Sequence, residues 1–173
     1  MGQVTERQLE EQHLEGCLQV IKENIAAYEK DIAVMNADIK VMYERYHDND
    51  PEIFTELSNT ITMNEHMKAA LAKNERALKK PYFGRIDILN EAGREEIFYL
   101  GKGGVMKDTT TILVVDWRAP IANVYYENGL GSCSYLVSGN QSITIDLRRK
   151  RTYEIEQERL IDFFDSEVVA NDE

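Results

Sequence analysis

Apolar residues recur along the first part of the chain at Leu14, Leu18, Ile21, Ile25, Tyr28, Ile32, Met35, Ile39, Met42 and Tyr46, spaced alternately four and three residues apart. That alternation marks the seam of a coiled coil, which keeps one stripe of a helix against a partner helix. Lys22, Glu23, Glu29, Lys30, Asp31, Asp38 and Lys40 fill positions between. The spacing predicts one amphipathic helix over 5–46, with Gly16 as a weak point near its start. The pattern stops at His47-Asp48-Asn49-Asp50-Pro51. Here Asp50 reads as an N-cap, Pro51 as the first helical residue and Glu52 as an acid in the first turn. A second helix is predicted over 51–79 on Phe54, Leu57, Ile61, Met67, Leu71 and Leu78, with Asn64 and Asn74 interrupting the seam. Two helices joined by about four residues fold back as an antiparallel hairpin. Its paired part spans roughly 40 Å at 1.5 Å per residue.

After Pro81 the period changes to two. Residues 83–89, 95–100, 110–117, 122–126, 134–137, 142–147 and 152–155 read as short strands, separated by turn clusters at 90–93, 101–104, 128–131 and 138–140. Ile143, Ile145 and Leu147 alternate with Thr144 and Asp146, as a sheet with one wet face requires. The apolar run 111–115 predicts a central strand, and the acidic tail reads as a short helix around 160–164. The expected class is α+β, a long antiparallel helical hairpin followed by a small, mostly antiparallel β domain. The expected division is a hairpin arm over 1–80, a β-rich domain over 81–160 and an acidic tail over 161–173.

Charge narrows the function. The 173 residues include 20 basic and 31 acidic side chains, a net charge of −11, whereas a stand-alone DNA binder carries a basic footprint. No apolar run is long enough to span a membrane. The first residues carry Glu6, Glu10, Glu11 and Glu15 in place of a signal sequence. Cys17 and Cys133 read as two reduced thiols, which suits a cytoplasmic protein.

Familiar chemistry is missing. Gly101-Lys102-Gly103-Gly104 imitates a nucleotide-binding P-loop, but Glu96 stands where the first glycine belongs and Gly103 where a hydroxyl should hold magnesium. No cofactor is expected in this chain, and no ATP binding by it. Asp48, Asp50 and Glu52 alternate like the start of a calcium loop, but Ile53 and Asn59 occupy positions needing Gly and Glu. His13, His47 and His66 form no ligand pair, so no metal site is expected. The sequence shows no Ser/His/Asp or Cys/His spacing that would mark a catalytic residue. The basic run Arg148-Arg149-Lys150-Arg151 either tracks a phosphate backbone or lies on a strand face against acidic neighbours.

Two segments are more specific: Pro81-Tyr82-Phe83-Gly84-Arg85-Ile86-Asp87, and Asp116-Trp117-Arg118-Ala119-Pro120-Ile121 followed by Tyr125-Tyr126. With Tyr99-Leu100-Gly101 and Arg149-Lys150-Arg151-Thr152-Tyr153 they resemble the N-terminal region of HelD-type proteins, helicase-like superfamily 1 ATPases related to UvrD that act on bacterial RNA polymerase. The resemblance covers about 14–160. The sequence departs from the family pattern at Ile88, usually Phe, at Ser138-Gly139, usually Pro-Gly, and near Glu158, where the family has Gly. The resemblance implies a hairpin that inserts into the secondary channel of RNA polymerase, with a β segment leading to the first ATPase domain. On this view the chain is the front portion of a truncated, larger protein that uses ATP and magnesium, meets nucleic acid only in its full-length form and releases polymerase from it.

Within the motifs, a structural role has Pro81 ending a helix, Gly84 allowing curvature, Trp117 filling a core, and Arg85–Asp87 and Asp116–Arg118 pairing. A functional role has Tyr82, Phe83, Gly84, Arg85, Asp87, Asp116, Trp117, Arg118 and Pro120 touching polymerase or the ATPase domain. At the tip, His47, Asp48, Asn49, Asp50 and Glu52 either make turn and cap chemistry or carry charge to the polymerase centre. The alternatives are a Gre-like transcript-cleavage factor, which lacks both motifs, and a plain coiled-coil scaffold. The hairpin itself is expected to be monomeric.

Overall fold

The computed structural model describes residues 3–46, 50–127 and 129–166. The chain forms two compact units, one of Met1–Val20 with Ala77–Glu173 and the other of Ile21–Arg76. Helix α1 (Glu6–Arg45) contributes to both and runs through Gly16 without a break. No helix among the described residues is long and apolar enough to cross a membrane.

The unit Ile21–Arg76 is a two-helix hairpin of α1 and α2 (Pro51–Lys79). Ile25, Tyr28, Ile32, Met35, Ile39 and Met42 are half-buried between exposed neighbours, which is the predicted stripe. Asp50 caps α2, its Oδ1 accepting the Ile53 N–H at 3.3 Å and its carbonyl accepting the Phe54 N–H at 3.1 Å. On α2 the stripe falls one residue from the predicted start: Ile53 is half-buried, whereas Phe54 is exposed beside Tyr46. Asn64 belongs to the seam instead of interrupting it. It is buried and donates from Nδ2 to Asn36 Oδ1 at 2.9 Å, a polar pair that sets the register of an antiparallel hairpin.

In the other unit a seven-stranded sheet is built from β1 (Gly84–Leu89), β2 (Glu95–Gly101), β3 (Val105–Met106), β4 (Ile112–Asp116), β5 (Gly131–Val137), β6 (Gln141–Glu156) and β7 (Arg159–Asp165). The order is β3-β4-β2-β1-β6-β5, with β7 also paired to β6. All pairs are antiparallel except β2 with β4, which meet in parallel at Leu100–Val115 and Gly101–Asp116. One face packs Ile86, Ile88, Leu100, Ile145 and Leu147 against Ala122 and Val124. Fully burying an aliphatic side chain stabilises by about 1.5–3 kcal/mol, so this layer is the main apolar core.

Four expectations fail here. Residues 122–126 are not a strand: Pro120 opens a single 3-10 turn and a short helix α3 (Asn123–Glu127) follows, as proline at a first helical position favours. The apolar run on β4 lies next to the two-residue β3 near the sheet's edge, and the central strands are β1 and β6. The two strands expected at 142–147 and 152–155 are one strand of 16 residues that passes through the basic run. The tail at 160–164 is no helix; it lies in β7, folded back on β6 by a two-residue turn.

Candidate functional site

The arginines and tyrosines of the motifs converge on one carboxylate that sequence reasoning did not single out. Glu10, on the first turns of α1, is 2% exposed. Its Oε2 accepts bonds from Arg85 Nη1 at 2.8 Å, Arg151 Nη1 at 2.6 Å and the Tyr153 hydroxyl at 2.7 Å, and its Oε1 accepts the Tyr99 hydroxyl at 3.1 Å. The pairing register makes this possible, because Arg85 sits opposite Tyr99 on β2 and opposite Arg151 on β6. Two arginines and a tyrosine from three strands therefore share the face that meets α1.

More acids complete the cluster. Arg151, only 1% exposed, also donates to Asp165 at 2.6 and 3.1 Å and to Glu6 at 2.7 Å. Arg85 grips Asp87 with two bonds of 2.7 and 2.8 Å. Arg149 lies within 3.7–3.9 Å of Asp165, Glu6 and Asp87. Buried charge is tolerable only when it is paired and hydrogen-bonded, and here each arginine meets more than one carboxylate. Burial by itself would raise the pKa of Glu10. The bonds from Tyr153 and Arg151, the charge of Arg85 and the bond from Tyr99 outweigh it and hold the group below the ordinary carboxylate value. Asp165 is likewise lowered, chiefly by its bond from Arg151. Burial pushes Tyr99 up to about 12, with Glu10 adding to the shift, and lowers His13, which stacks on Tyr99 at 3.8 Å.

The remaining motif residues divide between architecture and surface. Pro81 and Tyr82 are buried, and α2 ends just before Pro81, as expected. Gly84 supplies room: a Cβ there would lie 2.7 Å from the Tyr125 ring, whose hydroxyl pairs with Thr152 Oγ1 at 2.7 Å. Phe83 packs near Tyr125 and Tyr126. Trp117 does not fill a core; it is 45% exposed at the end of β4. Beside it Arg118 donates to both oxygens of Asp116 at 3.0 and 2.8 Å. Pro120 is exposed at the start of the 3-10 turn.

The basic run alternates faces. Arg149 and Arg151 enter the acidic cluster, Arg148 pairs with Asp146 at 2.6 Å, and the Lys150 ammonium lies 5.5 Å from the Tyr125 ring. Acidic neighbours are thus as expected, while Arg151 is buried instead of solvated. Among the tip residues, His47, Asp48 and Asn49 lie outside the described residues; Asp50 is the cap and Glu52 is exposed in the first turn of α2. Glu6, Glu10 and Asp165 escape sequence reasoning because their arginine partners are 14 to 145 residues away. No group of three or more metal-ligating side chains occurs among the described residues.

A two-helix hairpin in one unit and a mostly antiparallel sheet in the other, whose arginine-rich strand is clamped on the first turns of α1, define an α+β protein. Residues 7–173 match the family described as DNA helicase IV HelD, N-terminal domain, and the chain belongs to that family. It is therefore part of a helicase-like protein of a bacterial type. No curated protein matches the chain.

Proposed function

We propose that this chain is the polymerase-interaction region of a helicase-like ATPase, which enters the secondary channel of RNA polymerase through its hairpin and helps release the enzyme from nucleic acid. The observation that carries the reading is the family match over 7–173 on a chain whose unit Ile21–Arg76 is a capped two-helix hairpin. The Asn36–Asn64 pair closes that hairpin within one molecule, which supports a monomeric arm. Asp48, Asp50 and Glu52 place acids around the connection, where they repel nucleic acid or approach a bound magnesium ion. ATP and magnesium belong to the parent protein's ATPase domain, and its nucleic-acid release activity takes place in the cytoplasm.

The test is binding of the 173-residue chain to immobilised bacterial core RNA polymerase, followed by addition of a Gre-type factor that occupies the secondary channel. The expected result is saturable one-to-one binding that the factor displaces. Binding that persists at saturating competitor would place the chain elsewhere on the enzyme, and absence of binding would end the proposal.

A further inference from the structure

Three backbone segments meet at the end of the sheet that carries Trp117. Gly101 pairs with Asp116, and the Trp117 N–H donates to the Gly101 carbonyl at 2.8 Å. A Cβ on Gly101 would lie 2.5 Å from the Pro81 carbonyl, so the 79–81 segment abuts the same residue. Gly104 backs onto the Asp116 backbone, its Cβ position 3.8 Å from the Asp116 nitrogen. The glycine loop that fails as a P-loop is therefore wedged between the end of α2 and the Asp116-Trp117-Arg118 turn.

This juxtaposition brings the lysine-bearing segments 79–80 and 101–104 to the end of the strand that leads into an exposed aromatic residue. Lys79, Lys80 and Lys102 are exposed, and no ion pair among the described residues involves them. Trp117 is 45% exposed, and the Arg118 side chain is 68% exposed while its guanidinium makes two bonds to Asp116. Tyr126, 51% exposed, reaches the same end through Phe83, whose N–H bonds the Leu100 carbonyl. In a chain of net charge −11 such a patch is unexpected. The basic run does not supply one, since its arginines are spent on Glu6, Glu10, Asp146 and Asp165.

We propose that this end of the sheet binds a single strand of nucleic acid, with a base stacked on Trp117 and phosphates held by Lys79, Lys80 and Lys102. The chemistry favours a strand over an acidic polypeptide. A base has the planar face that an exposed indole accepts, and the backbone brings regularly spaced charge to the lysines. Gly103 and Gly104 add no side chain to obstruct a phosphate approaching Lys102. Lys79 and Lys80 also complement the negative end of α2, so Trp117 and Lys102 are the residues to test. This inference does not depend on the polymerase reading.

Trp117 is the chain's one tryptophan, so its fluorescence reports stacking directly. The experiment titrates the 173-residue chain with unstructured 12-nucleotide DNA and RNA strands at low salt. Saturable quenching is expected, with the logarithm of affinity falling against the logarithm of salt with a slope of about −2 for three phosphates. Followed by anisotropy of a labelled strand, W117A should weaken binding by about tenfold or more and W117F by far less. K102A should flatten the salt slope by about 0.7. Circular dichroism melts of K102A should match the parent, because that side chain is exposed, and W117F, which keeps a ring in the half-covered site, separates lost stacking from lost packing in W117A. A preference for RNA or DNA identifies the source of the strand, and equal affinity assigns the site to features both share. The proposal is overturned by absence of binding at about 100 µM, the weak end for non-specific strands, or by W117A binding like the parent. Displacement of the strand by polyglutamate at equal charge concentration would also overturn it and make the patch a protein-docking surface.

Discussion

Replacing Glu10 with Gln tests whether the buried carboxylate holds the first turns of α1 to the sheet. The substitution keeps size and a hydrogen-bond acceptor but removes the charge that Arg85 and Arg151 share. Removing one partner of a buried ion pair costs about 3–5 kcal/mol, because the other charge stays buried. Arg151 would retain Asp165 and Glu6, and Arg85 would retain Asp87, which places the expected loss near the low end, about 3 kcal/mol. For a chain of 173 residues that corresponds to a melting temperature lower by about 6–12 °C. Circular dichroism at the helix band and fluorescence of Trp117 in the sheet-bearing unit follow the transition from two places. Acidity provides a second reading. Glu10 titrates below its ordinary value in the folded chain, so its contribution is complete at neutral pH and is lost as pH falls through the folded pKa. The Gln variant has no such contribution to lose, and the gap between the two proteins should narrow on acidification. A variant within about 1 kcal/mol of the parent at neutral pH would refute the reasoning, since that is the range of an exposed ion pair. A gap that stays constant into acid would refute it too.

Two other substitutions test local features. Asn64→Leu removes a buried amide whose Oδ1 has no hydrogen-bond partner among the described residues, and should raise the stability of the hairpin by about 1–2 kcal/mol. It should also loosen register, seen as association in sedimentation equilibrium at high concentration; a lower melting temperature would contradict this account. Glu158→Gly acts on the β6–β7 turn, where Gln157 and Glu158 both have positive φ, 49° and 66°. Relief of about 1–2 kcal/mol of left-handed strain exceeds the extra entropy glycine loses, roughly 0.5–1 kcal/mol, so urea melts should show a small net gain. A net loss would mean the glutamate side chain matters more than the backbone.

The helices were legible because their information is local. The four-three spacing from Leu14 to Tyr46 is a property of one helix surface, and the Asp50-Pro51-Glu52 cap acts within a single turn. The hairpin followed from the shortness of the connection. β1, β2 and β5 were also readable, since alternation and turn residues mark them. The segment 122–126 was not, because five residues carry too few periods to separate a strand from a helix, and Pro120 decided between them. Nor was β6 readable as one strand: a run of four cations looks like a break until its partners are known.

The motif residues of the acidic cluster could be found in the sequence, but what binds them together could not. Arg85, Tyr99, Arg151 and Tyr153 stand in segments that resemble one family, whereas the carboxylate they share lies 75 to 143 residues away in an ordinary-looking helical repeat. Glu10 differs from Glu11 and Glu15 only in facing the sheet. The sequence by itself therefore determined the helical hairpin, the α+β class and the family, all of which rest on local periodicity and on contiguous motifs. Tertiary structure alone decided which glutamate is buried, that the basic run is neutralised and that Trp117 faces solvent. Those outcomes depend on strand register and on which face of α1 meets the sheet, and no local pattern records either.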